Sequence, residues 1–346
     1  MNARVAVVGA GYFAAFHLEA WRALGVRVER LCDIDLGRAQ ALAARFGVPA
    51  VADRVQAVLD GARPDLVDVV LPPQAQAGVV QMLLQARLPV VCQEPSGEGL
   101  AQAAARAAMA QAQRTPLVGH ENFRFMPWFR ECRRLIDAGH FGRLHGITFR
   151  LRPGDGQDPS AYLDRQPYFR TMPRLLVRET AVHFIDTFRY LCGEVRAVTA
   201  RLRRLNPALA GEDAALIVME FDGDVTGVFD GNRLNDHVAA DPRRTMGEMW
   251  LEGERGVMRL DGDGRLWWKP HHGPEAEHRF EHAHPGVFGG AVAALQAHVL
   301  AHLRDGAPLE NGAHDYLANL RVQEAVYASH AGGRRVPLGA TDPDRP

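Results

Sequence analysis

The sequence predicts an α/β protein of two domains: a doubly wound parallel sheet in residues 1–119 and an α+β domain with a large open, mainly antiparallel sheet in residues 120–346. Strand-like and helical patterns alternate through the first third of the chain, as they do where helices join parallel strands. From Val195 onwards, strand-like segments are separated by Asp-Gly and Glu-Gly turns, which is typical of antiparallel hairpins. A length of 346 residues also exceeds one usual domain.

The first domain is predicted element by element from its apolar segments. In chain order, these elements are a strand at Arg4–Val8, a helix ending at Leu24, a strand at Val26–Cys32, a helix at Leu36–Phe46, a strand at Leu66–Leu71, a helix at Gln76–Ala86, a strand at Val90–Cys92, a helix at Leu100–Gln113 and a strand at Leu117–Gly119. Ligands bind such sheets outside the carboxyl ends of the strands. Pro72, Pro73 and Pro95 end strands at that edge.

The first strand leads directly into a glycine-rich turn from Gly9 to Ala14 (GAGYFA), which has the pattern GxGxxA. Gly9 allows the tight turn, Gly11 lets the backbone approach a pyrophosphate, and Ala14 lets the following helix pack on the strand. Asp33 ends the second strand about 20 residues later, where a carboxylate accepts hydrogen bonds from a ribose and repels a 2′-phosphate. These features predict a Rossmann domain that prefers NAD, while Arg38 leaves room for NADP.

The second domain begins after Gly119, where the composition changes. Its predicted elements are a helix ending at Ala138, a strand at Leu144–Leu151, a helix at Leu175–Leu191, strands from Val195 onwards, and helices at Val287–Leu303 and His314–Ser329. An open antiparallel sheet leaves one face for a partner. We therefore expect a homodimer or homotetramer formed through the C-terminal sheet.

The predicted helix Leu175–Leu191 has one polar and one apolar face. At about 100° per residue, the polar arc carries Glu179, His183, Asp186 and Tyr190. The opposite arc, which we expect to be buried, carries Val177, Ala181, Phe184, Phe188 and Leu191. The helix thus presents a histidine between two acids on one face, while its apolar face is expected to be buried against the rest of the domain. A surface helix with no chemical role carries the same pattern, and this alternative stays open.

Composition excludes several classes of partner and site. Apolar residues make up 47% of the chain, charged residues 23%, and the formal net charge is −1. No block of like charges suggests a nucleic-acid partner, and no segment resembles a signal peptide or a membrane span. We therefore expect a cytoplasmic protein with a small-molecule substrate. The histidines from His271 to His284 lack the spacing of a metal site, so we expect a solvated loop and no metal.

Arginines are concentrated in and after the polar loop that precedes the helix Leu175–Leu191. They are Arg165, Arg170, Arg174 and Arg178. Guanidinium groups bind carboxylates and phosphates through paired hydrogen bonds. The cluster therefore hints at an anionic group on the substrate, with Arg170 as a candidate contact. Because Lys269 is the only lysine in the chain, arginine is also the default basic residue here.

Nearly the whole chain resembles the Gfo/Idh/MocA family, named after glucose-fructose oxidoreductase, inositol dehydrogenase and rhizopine catabolism proteins. The glycine-rich turn with His17 resembles the family's GxGxxG/A-x-x-H start, and Asn122 to Pro127 (NFRFMP) with Gly139 and Gly142 is similar to its NxRFxP…G…G segment. Glu212 and Asp213 resemble its GED strand start. Glu179, His183 and Asp186 resemble its DxGxHxxD helix, with glutamate where the first aspartate is usual.

The resemblance implies oxidation or reduction of sugars, polyols and related alcohols with NAD(P). It implies that His183 is the acid/base residue, with Glu179 beside it. The cofactor-binding positions that it implies are Gly9, Gly11, Tyr12, Phe13, Asp33, Arg38, Pro72, Gln76 and Gln93. The implied substrate-binding positions are Asn122, Arg124 and Asp186.

One catalytic position departs from the family. The family's EKP motif supplies a lysine that contacts the substrate hydroxyl and helps to move its proton, whereas the matching residues here are Gln93, Glu94 and Pro95. A carboxylate opposes the negative charge of an alkoxide, although it favours the positive nicotinamide of NAD⁺ and is a general base if burial raises its pKa. Drift away from lysine would have left arginine. We therefore count Glu94 with His183 and Glu179 among the catalytic candidates.

Three functions are compatible with these residues. The leading hypothesis is an NAD(P)-dependent oxidoreductase that acts on a hydroxyl of a sugar-like, polyol or sugar-acid substrate, with Glu94 modifying the chemistry of His183. The alternative is a non-redox or catalytically impaired protein of the same fold that binds nucleotide and a small ligand. A third is a lyase or epimerase that uses tightly bound NAD, from which nucleotide would copurify.

Overall fold

The computed structural model describes residues 3–94, 99–281 and 287–339, which form two compact units. Unit 1 consists of the described residues of Met1–Asn122 and Val292–Ala318. Unit 2 consists of those of Phe123–Ala291 and Asn319–Pro346. The expected boundary between residues 119 and 120 lies close to the first division, but residues 292–318 return to unit 1, which a single linear boundary does not include.

Unit 1 contains a six-stranded sheet in the order β3-β2-β1-β4-β5-β6, and its neighbouring strands pair in parallel. The strands are β1 (Val5–Val8), β2 (Val28–Cys32), β3 (Ala50–Ala52), β4 (Leu66–Val69), β5 (Val90–Cys92) and β6 (Leu117–Gly119). The helices between them are α1 (Ala14–Ala23), α2 (Leu36–Phe46), α3 (Gln56–Asp60), α4 (Pro73–Gln85) and α5 (Leu100–Ala112). The predicted doubly wound parallel sheet is confirmed.

The parallel sheet is buried on both faces, which explains why its strands were recognisable as apolar segments. All four residues of β1 are buried, and so are those of β4, where Asp68 is the one charged residue. The sequence patterns missed β3 and α3. Both are short, and the three residues of β3 are only half-buried at the edge of the sheet, so neither leaves a strong hydrophobic pattern.

Unit 2 contains a nine-stranded sheet in the order β14-β13-β12-β11-β7-β10-β9-β8-β15. Its strands are β7 (Leu144–Leu151), β8 (Val195–Arg203), β9 (Ala214–Phe221), β10 (Thr226–Asn232), β11 (Gly247–Gly253), β12 (Gly256–Leu260), β13 (Leu266–Pro270), β14 (Ala276–His278) and β15 (Val336–Pro337). The described neighbours are antiparallel apart from β7 and β10, which are parallel. The predicted mainly antiparallel sheet is confirmed.

Four further α-helices complete the described chain. They are α6 (Pro127–Asp137), α7 (Val182–Cys192), α8 (Ala291–Asp305) and α9 (Ala313–Gly332). The structure corrects the prediction of one helix over Leu175–Leu191, because Val177–Ala181 form a π-helical turn in which the N–H of Val182 donates to the carbonyl of Val177. A π-helical turn contains an extra residue, so Glu179 is displaced relative to His183 from its place in a regular helix.

The apolar face expected for this segment is confirmed. Val177, Ala181, Phe184, Phe188 and Leu191 are all buried. The ring of Phe184 packs against the sheet, with its centroid 4.0 Å from that of Phe149 on β7 and 5.3 Å from that of Phe229 on β10. Aromatic packing of this kind fixes the helix on the sheet, and the opposite face of α7 is left for polar side chains.

Other expectations concern membranes, metals and assembly. No described helix is both long and apolar enough to span a bilayer. Within residues 3–94, 99–281 and 287–339, no three His, Cys, Asp or Glu side chains converge as a metal site would require. His282 and His284 of the expected histidine loop, and most of the expected loose tail, lie outside the described residues. Oligomerisation through the C-terminal sheet stays a prediction.

Candidate active site

The turn after β1 is shaped for a dinucleotide. Gly9 has a φ of +108°, and a Cβ added there would lie 2.1 Å from the carbonyl oxygen of Val70. A Cβ added to Gly11 would meet no described heavy atom within 4 Å, so the turn is open on that side. The first turn of α1 contains no acidic residue, and no side chain caps it. Its amides and helix dipole therefore favour an anion such as a pyrophosphate.

Two aromatic residues of this turn were predicted to contact the cofactor. Tyr12 is 47% exposed, and its ring lies edge-on to Phe16 with the centroids 5.5 Å apart. Phe13 precedes α1 and packs on the same Phe16 ring at 5.2 Å. Tyr12 therefore lies on the open side of the turn, whereas Phe13 helps to anchor it.

Asp33 follows β2 and lies beside the same turn. Its Oδ2 accepts a hydrogen bond from the N–H of Ala10 at 2.7 Å, and its Oδ1 accepts one from the N–H of Asp35 at 2.9 Å. A carboxylate has about four acceptor positions, so Asp33 keeps capacity for ribose hydroxyls. The half-exposed Arg38 places Nη2 3.5 Å from Oδ1 of Asp33. The residues present thus fit NAD. The carboxylate of Asp33 disfavours the 2′-phosphate of NADP, and the cation beside it is Arg38.

Gln76, a predicted cofactor contact, is held by backbone carbonyls. Its side chain is fully buried, and Nε2 donates to the carbonyls of Leu71 at 2.9 Å and Gln93 at 2.8 Å. Gln76 therefore ties together the segments that follow β4 and β5, and its contact with the cofactor stays a prediction. Pro72, the residue before α4, lies in one of these segments.

Gln93 is held from the opposite side by a buried histidine. Its Oε1 lies 3.0 Å from Nε2 of His17, and Nδ1 of His17 lies 2.8 Å from Oδ2 of Asp68. Trp21 also donates to this oxygen of Asp68, at 2.8 Å. These hydrogen bonds explain why β4 contains a charged residue. Through His17, Asp68 fixes the segment that carries Gln93 and Glu94.

Glu94 faces the interior of unit 1. It is 7% exposed and lines a cavity of about 10 Å³, which has room for about one water molecule. Arg106 of α5 lines the same cavity, and its two terminal nitrogens have no hydrogen-bond partner among the described residues. Burial raises the pKa of the neighbouring Cys92 thiol; Glu94 raises it further and Arg106 lowers it. Both charges are therefore buried beside Cys92. Pro95, the next residue, lies outside the described chain.

His183 lies in the first turn of α7 and is half-buried. Its ring stacks on that of Phe123, with the centroids 4.4 Å apart and the planes inclined by 21°. Phe123 is itself 4% exposed and packs against Phe184 at 5.4 Å. The imidazole is therefore held in one plane by an aromatic wall, which is the kind of positioning that proton transfer requires.

Asp186, a predicted substrate contact, is fully buried. Its carboxylate accepts hydrogen bonds from Nε and Nη2 of Arg124 at 2.7 and 2.5 Å, and from Nδ2 of Asn319 at 2.7 Å. Asp186 thus binds protein donors and orients Arg124, and its predicted contact with the substrate is untested. Arg124 has only 11% of its side chain exposed, and its charge is compensated by this ion pair.

Asn122 and Glu212 also have defined surroundings. Asn122 is buried in unit 1, and its Nδ2 has no hydrogen-bond partner among the described residues, so its predicted role as a substrate contact stays a prediction. In unit 2, Oε1 of Glu212 accepts hydrogen bonds from the N–H of Val177 at 3.1 Å and from the hydroxyl of Tyr327 at 2.8 Å. Glu212 therefore anchors the start of the π-helical turn.

The arginines of the polar loop are occupied by protein groups. Nη1 of Arg170 donates to the carbonyls of Pro159 at 2.6 Å and Ala161 at 3.2 Å. Arg165 pairs with Asp155 at 2.8 Å, and Arg174 pairs with Glu324 at 2.9 Å. The guanidinium of Arg170 thus holds the loop together, and its predicted contact with the substrate stays a prediction.

Sequence patterns missed the partner of Glu179. Its Oε2 accepts a hydrogen bond from Nη1 of Arg233 at 3.1 Å, and Arg233 also binds Asp155. Arg233 follows β10, and Asp155 lies in the loop after β7, so both come from parts of the chain far from Glu179. Arg106 was missed in the same way. Neither arginine occurs in a motif, and only the tertiary structure shows that it is buried.

Comparison with known proteins decides the family. Residues 3–120 match the model of an oxidoreductase family with an NAD-binding Rossmann fold, and residues 129–259 match the model of the Gfo/Idh/MocA C-terminal domain. The chain is also 30% identical, over 99% of its length, to a D-apiose dehydrogenase from Paraburkholderia graminis, of which it covers 91%. The chain belongs to the Gfo/Idh/MocA family. It is therefore an NAD-dependent oxidoreductase.

Two further proteins resemble the chain over nearly its whole length. A D-apiose dehydrogenase from Rhizobium rhizogenes is 27% identical, and the match covers 97% of each chain. Among solved structures, an oxidoreductase from Agrobacterium radiobacter in complex with NAD⁺, L-tartaric acid and magnesium has a TM-score of 0.89 and 26% identity, with 98% of this chain and 99% of that chain covered. This Gfo/Idh/MocA protein thus shares its fold with the Agrobacterium protein over 98% of its length.

Proposed function

We propose that this Gfo/Idh/MocA protein is a dehydrogenase of a sugar, polyol or sugar acid, and that His183 moves the proton of the substrate hydroxyl. One observation carries the proposal: His183 is a half-buried imidazole fixed by the ring of Phe123, on the helix that follows Glu179. An imidazole titrates near neutral pH and is thus suited to accept and return a proton.

Bound at the turn of Gly9 and Gly11, NAD⁺ would supply the acceptor for the hydride that leaves the carbon bearing the hydroxyl. The hydroxyl proton passes to the imidazole of His183, and the substrate becomes a carbonyl compound. In the reverse direction His183 returns the proton to the alcohol oxygen. Gly9 and Gly11 shape the turn for the pyrophosphate, and Asp33 selects the unphosphorylated ribose.

The substrate class is supported by charge as well as by the relatives. Asp186 compensates Arg124, Asp155 compensates Arg165, and Glu324 compensates Arg174. Because these ion pairs neutralise the three arginines, little net positive charge is available for a substrate. A neutral sugar or polyol is therefore favoured as the substrate over a sugar acid. D-apiose and inositol are the substrates in the names of relatives at 30% identity. The Agrobacterium protein binds L-tartaric acid, so L-tartrate represents the acidic substrates in a comparison with D-apiose and inositol.

The proposal is tested by replacing the imidazole. His183→Asn is expected to lower kcat by roughly 100- to 10,000-fold, the usual contribution of general acid–base catalysis. NAD affinity, measured by titration calorimetry, is expected to stay unchanged. His145→Asn serves as the matched control, because His145 is an exposed histidine of the same unit. Equal activity of the His183 variant and the wild type on D-apiose, inositol and L-tartrate would overturn the assignment.

A second candidate follows from Glu94. A carboxylate at the position of the family's lysine gives no positive charge for an alkoxide, which supports a catalytically impaired protein that still binds nucleotide and ligand. Glu94→Lys alone would place a second cation beside Arg106, so the informative variant combines Glu94→Lys with Arg106→Met. If this double variant gains alcohol oxidation that the wild type lacks, the wild type is impaired. If the wild type turns over, Glu94 is compatible with catalysis.

A further inference from the structure

Arg233 is a buried cation at the end of β10. It is 2% exposed and is among the largest fully buried side chains of the chain. Its own N–H donates to the carbonyl of Asp213 at 3.0 Å, which fixes its backbone at the sheet. Burying a guanidinium is costly unless charged and polar partners surround it. The hydrogen-bond partners of Arg233 therefore show which segments of the chain this side chain holds together.

The guanidinium connects two segments of unit 2 through its separate nitrogens. Nη2 donates to Oδ2 of Asp155 at 2.7 Å, and Nε donates to the hydroxyl of Tyr162 at 2.8 Å. Nη1 turns the other way and donates to Oε2 of Glu179 at 3.1 Å and to Oγ1 of Thr180 at 2.5 Å. The planar fork thus links the loop after β7 with the π-helical turn before His183.

Both carboxylates keep part of their surface exposed. The side chain of Asp155 is 20% exposed and that of Glu179 is 19% exposed, while Arg233 behind them is closed off. Burial raises the pKa of Asp155, but the charges and hydrogen bonds of Arg233 and Arg165 outweigh it and leave this pKa below its ordinary value. Burial and the charge of Glu179 raise the pKa of Tyr168 to about 12. Glu179 thus lies in a polar wall reached by solvent.

We propose that Arg233 is a positioning residue that holds Glu179 and the π-helical turn in the arrangement in which His183 transfers its proton. The inference rests on the proposed function, because it concerns the same proton transfer. Stability alone does not call for such an arginine, since apolar residues of similar volume often replace buried ion pairs without loss. Lysine would supply the charge without the fork that engages both Asp155 and Glu179.

Two variants test this role, Arg233→Lys and Arg233→Met. We expect kcat to fall roughly 10- to 100-fold in both, as small displacements of catalytic groups do, while the KM for NAD stays unchanged. Loss of the cation in Arg233→Met also favours protonation nearby, so the acidic limb of its kcat/KM profile should move to higher pH. Circular dichroism and thermal unfolding establish that each variant is folded. If Arg233→Met fails to fold, Arg233→Lys carries the test.

The matched control is Arg165→Met. Arg165 also pairs with Asp155 at 2.8 Å and is 30% exposed, but its hydrogen bonds do not include Glu179. We expect this variant to keep the wild-type kcat and pH profile. Equal losses in the Arg165 and Arg233 variants would overturn the inference, because the effect would then come from the loop of Asp155 and not from Glu179.

Hydrogen exchange separates the failure of this inference from the failure of the proposed function. The amides of Glu179 to His183 should exchange faster in Arg233→Met than in wild type, while those of α6 should not change. This readout needs no substrate. A wild type inactive on all three substrates, with faster exchange in the variant, would reject the proposed function alone. Unchanged exchange together with unchanged kinetics would reject the role of Arg233.

Discussion

The carboxylate of Glu94 occupies the space that a side chain at position 119 would need. A Cβ added to Gly119 would lie 2.6 Å from Oε1 of Glu94. Glycine at the end of β6 therefore lets Glu94 turn into the cavity that Arg106 also lines. A lysine in the same conformation would bring two cations together in a space for about one water molecule.

Glu94 and Arg106 are expected to stabilise each other. Glu94→Gln removes the negative charge from the cavity that the buried guanidinium of Arg106 also lines, so we expect the free energy of unfolding to fall by about 1–3 kcal/mol. Urea unfolding measures this loss. Adding Arg106→Met should cost less in the Glu94→Gln background than in wild type, since the charge it removes is no longer compensated. Strictly additive losses in this double-mutant cycle would show that the two side chains do not interact.

The two glycines of the nucleotide turn should respond differently to the same substitution. Gly9→Ala forces a Cβ to within 2.1 Å of the carbonyl oxygen of Val70 at a φ of +108°, so we expect a clear loss of thermal stability. Gly11→Ala meets no described atom within 4 Å and should keep the wild-type melting temperature. Its NAD affinity should fall, because the methyl group occupies the approach to the pyrophosphate. Unchanged NAD affinity in Gly11→Ala would contradict the assigned site.

Asp33 is expected to set the preference for NAD. In Asp33→Ala, the ribose loses a charged acceptor and a 2′-phosphate is no longer repelled. The ratio of kcat/KM for NAD to that for NADP should fall roughly 10- to 100-fold, as expected for charge-assisted hydrogen bonds of about 1.5–3 kcal/mol. Steady-state kinetics with both cofactors measures the ratio. Adding Arg38→Ala should reduce NADP use again, and an unaltered ratio in the single variant would exclude Asp33 as the selecting residue.

Asp261 makes stability depend on acid pH. Burial raises its pKa, but hydrogen bonds from Trp267 and from the backbone and side chain of Arg265 lower it more, so its pKa in the folded state lies below the ordinary value. Its contribution is therefore complete above the unfolded pKa of about 3.9 and is lost as the pH falls through the folded pKa. Asp261→Asn should make the free energy of unfolding fall less steeply below about pH 4, and parallel curves would refute this.

The sequence was sufficient to predict those features whose residues lie close together in the chain. The boundaries of α2 (Leu36–Phe46) match their prediction because both ends have local signals: the side chain of Asp35 accepts from the N–H of Arg38, and Gly47 has a φ of 70°. The apolar face of α7 followed from spacing alone. The glycine-rich turn and Asp33 were found in the same way, since strand, turn and helix follow one another in the chain.

The sequence by itself determined the two-domain α/β fold, the nucleotide turn and His183 as the proton-transfer candidate. Tertiary structure decided which charges meet. Asp186 binds Arg124, and Glu179 binds Arg233. Glu94 faces the cavity that Arg106 also lines. The physical reason is that burial and ion pairing depend on distances between segments far apart in the chain, whereas helix periodicity and turn geometry are local.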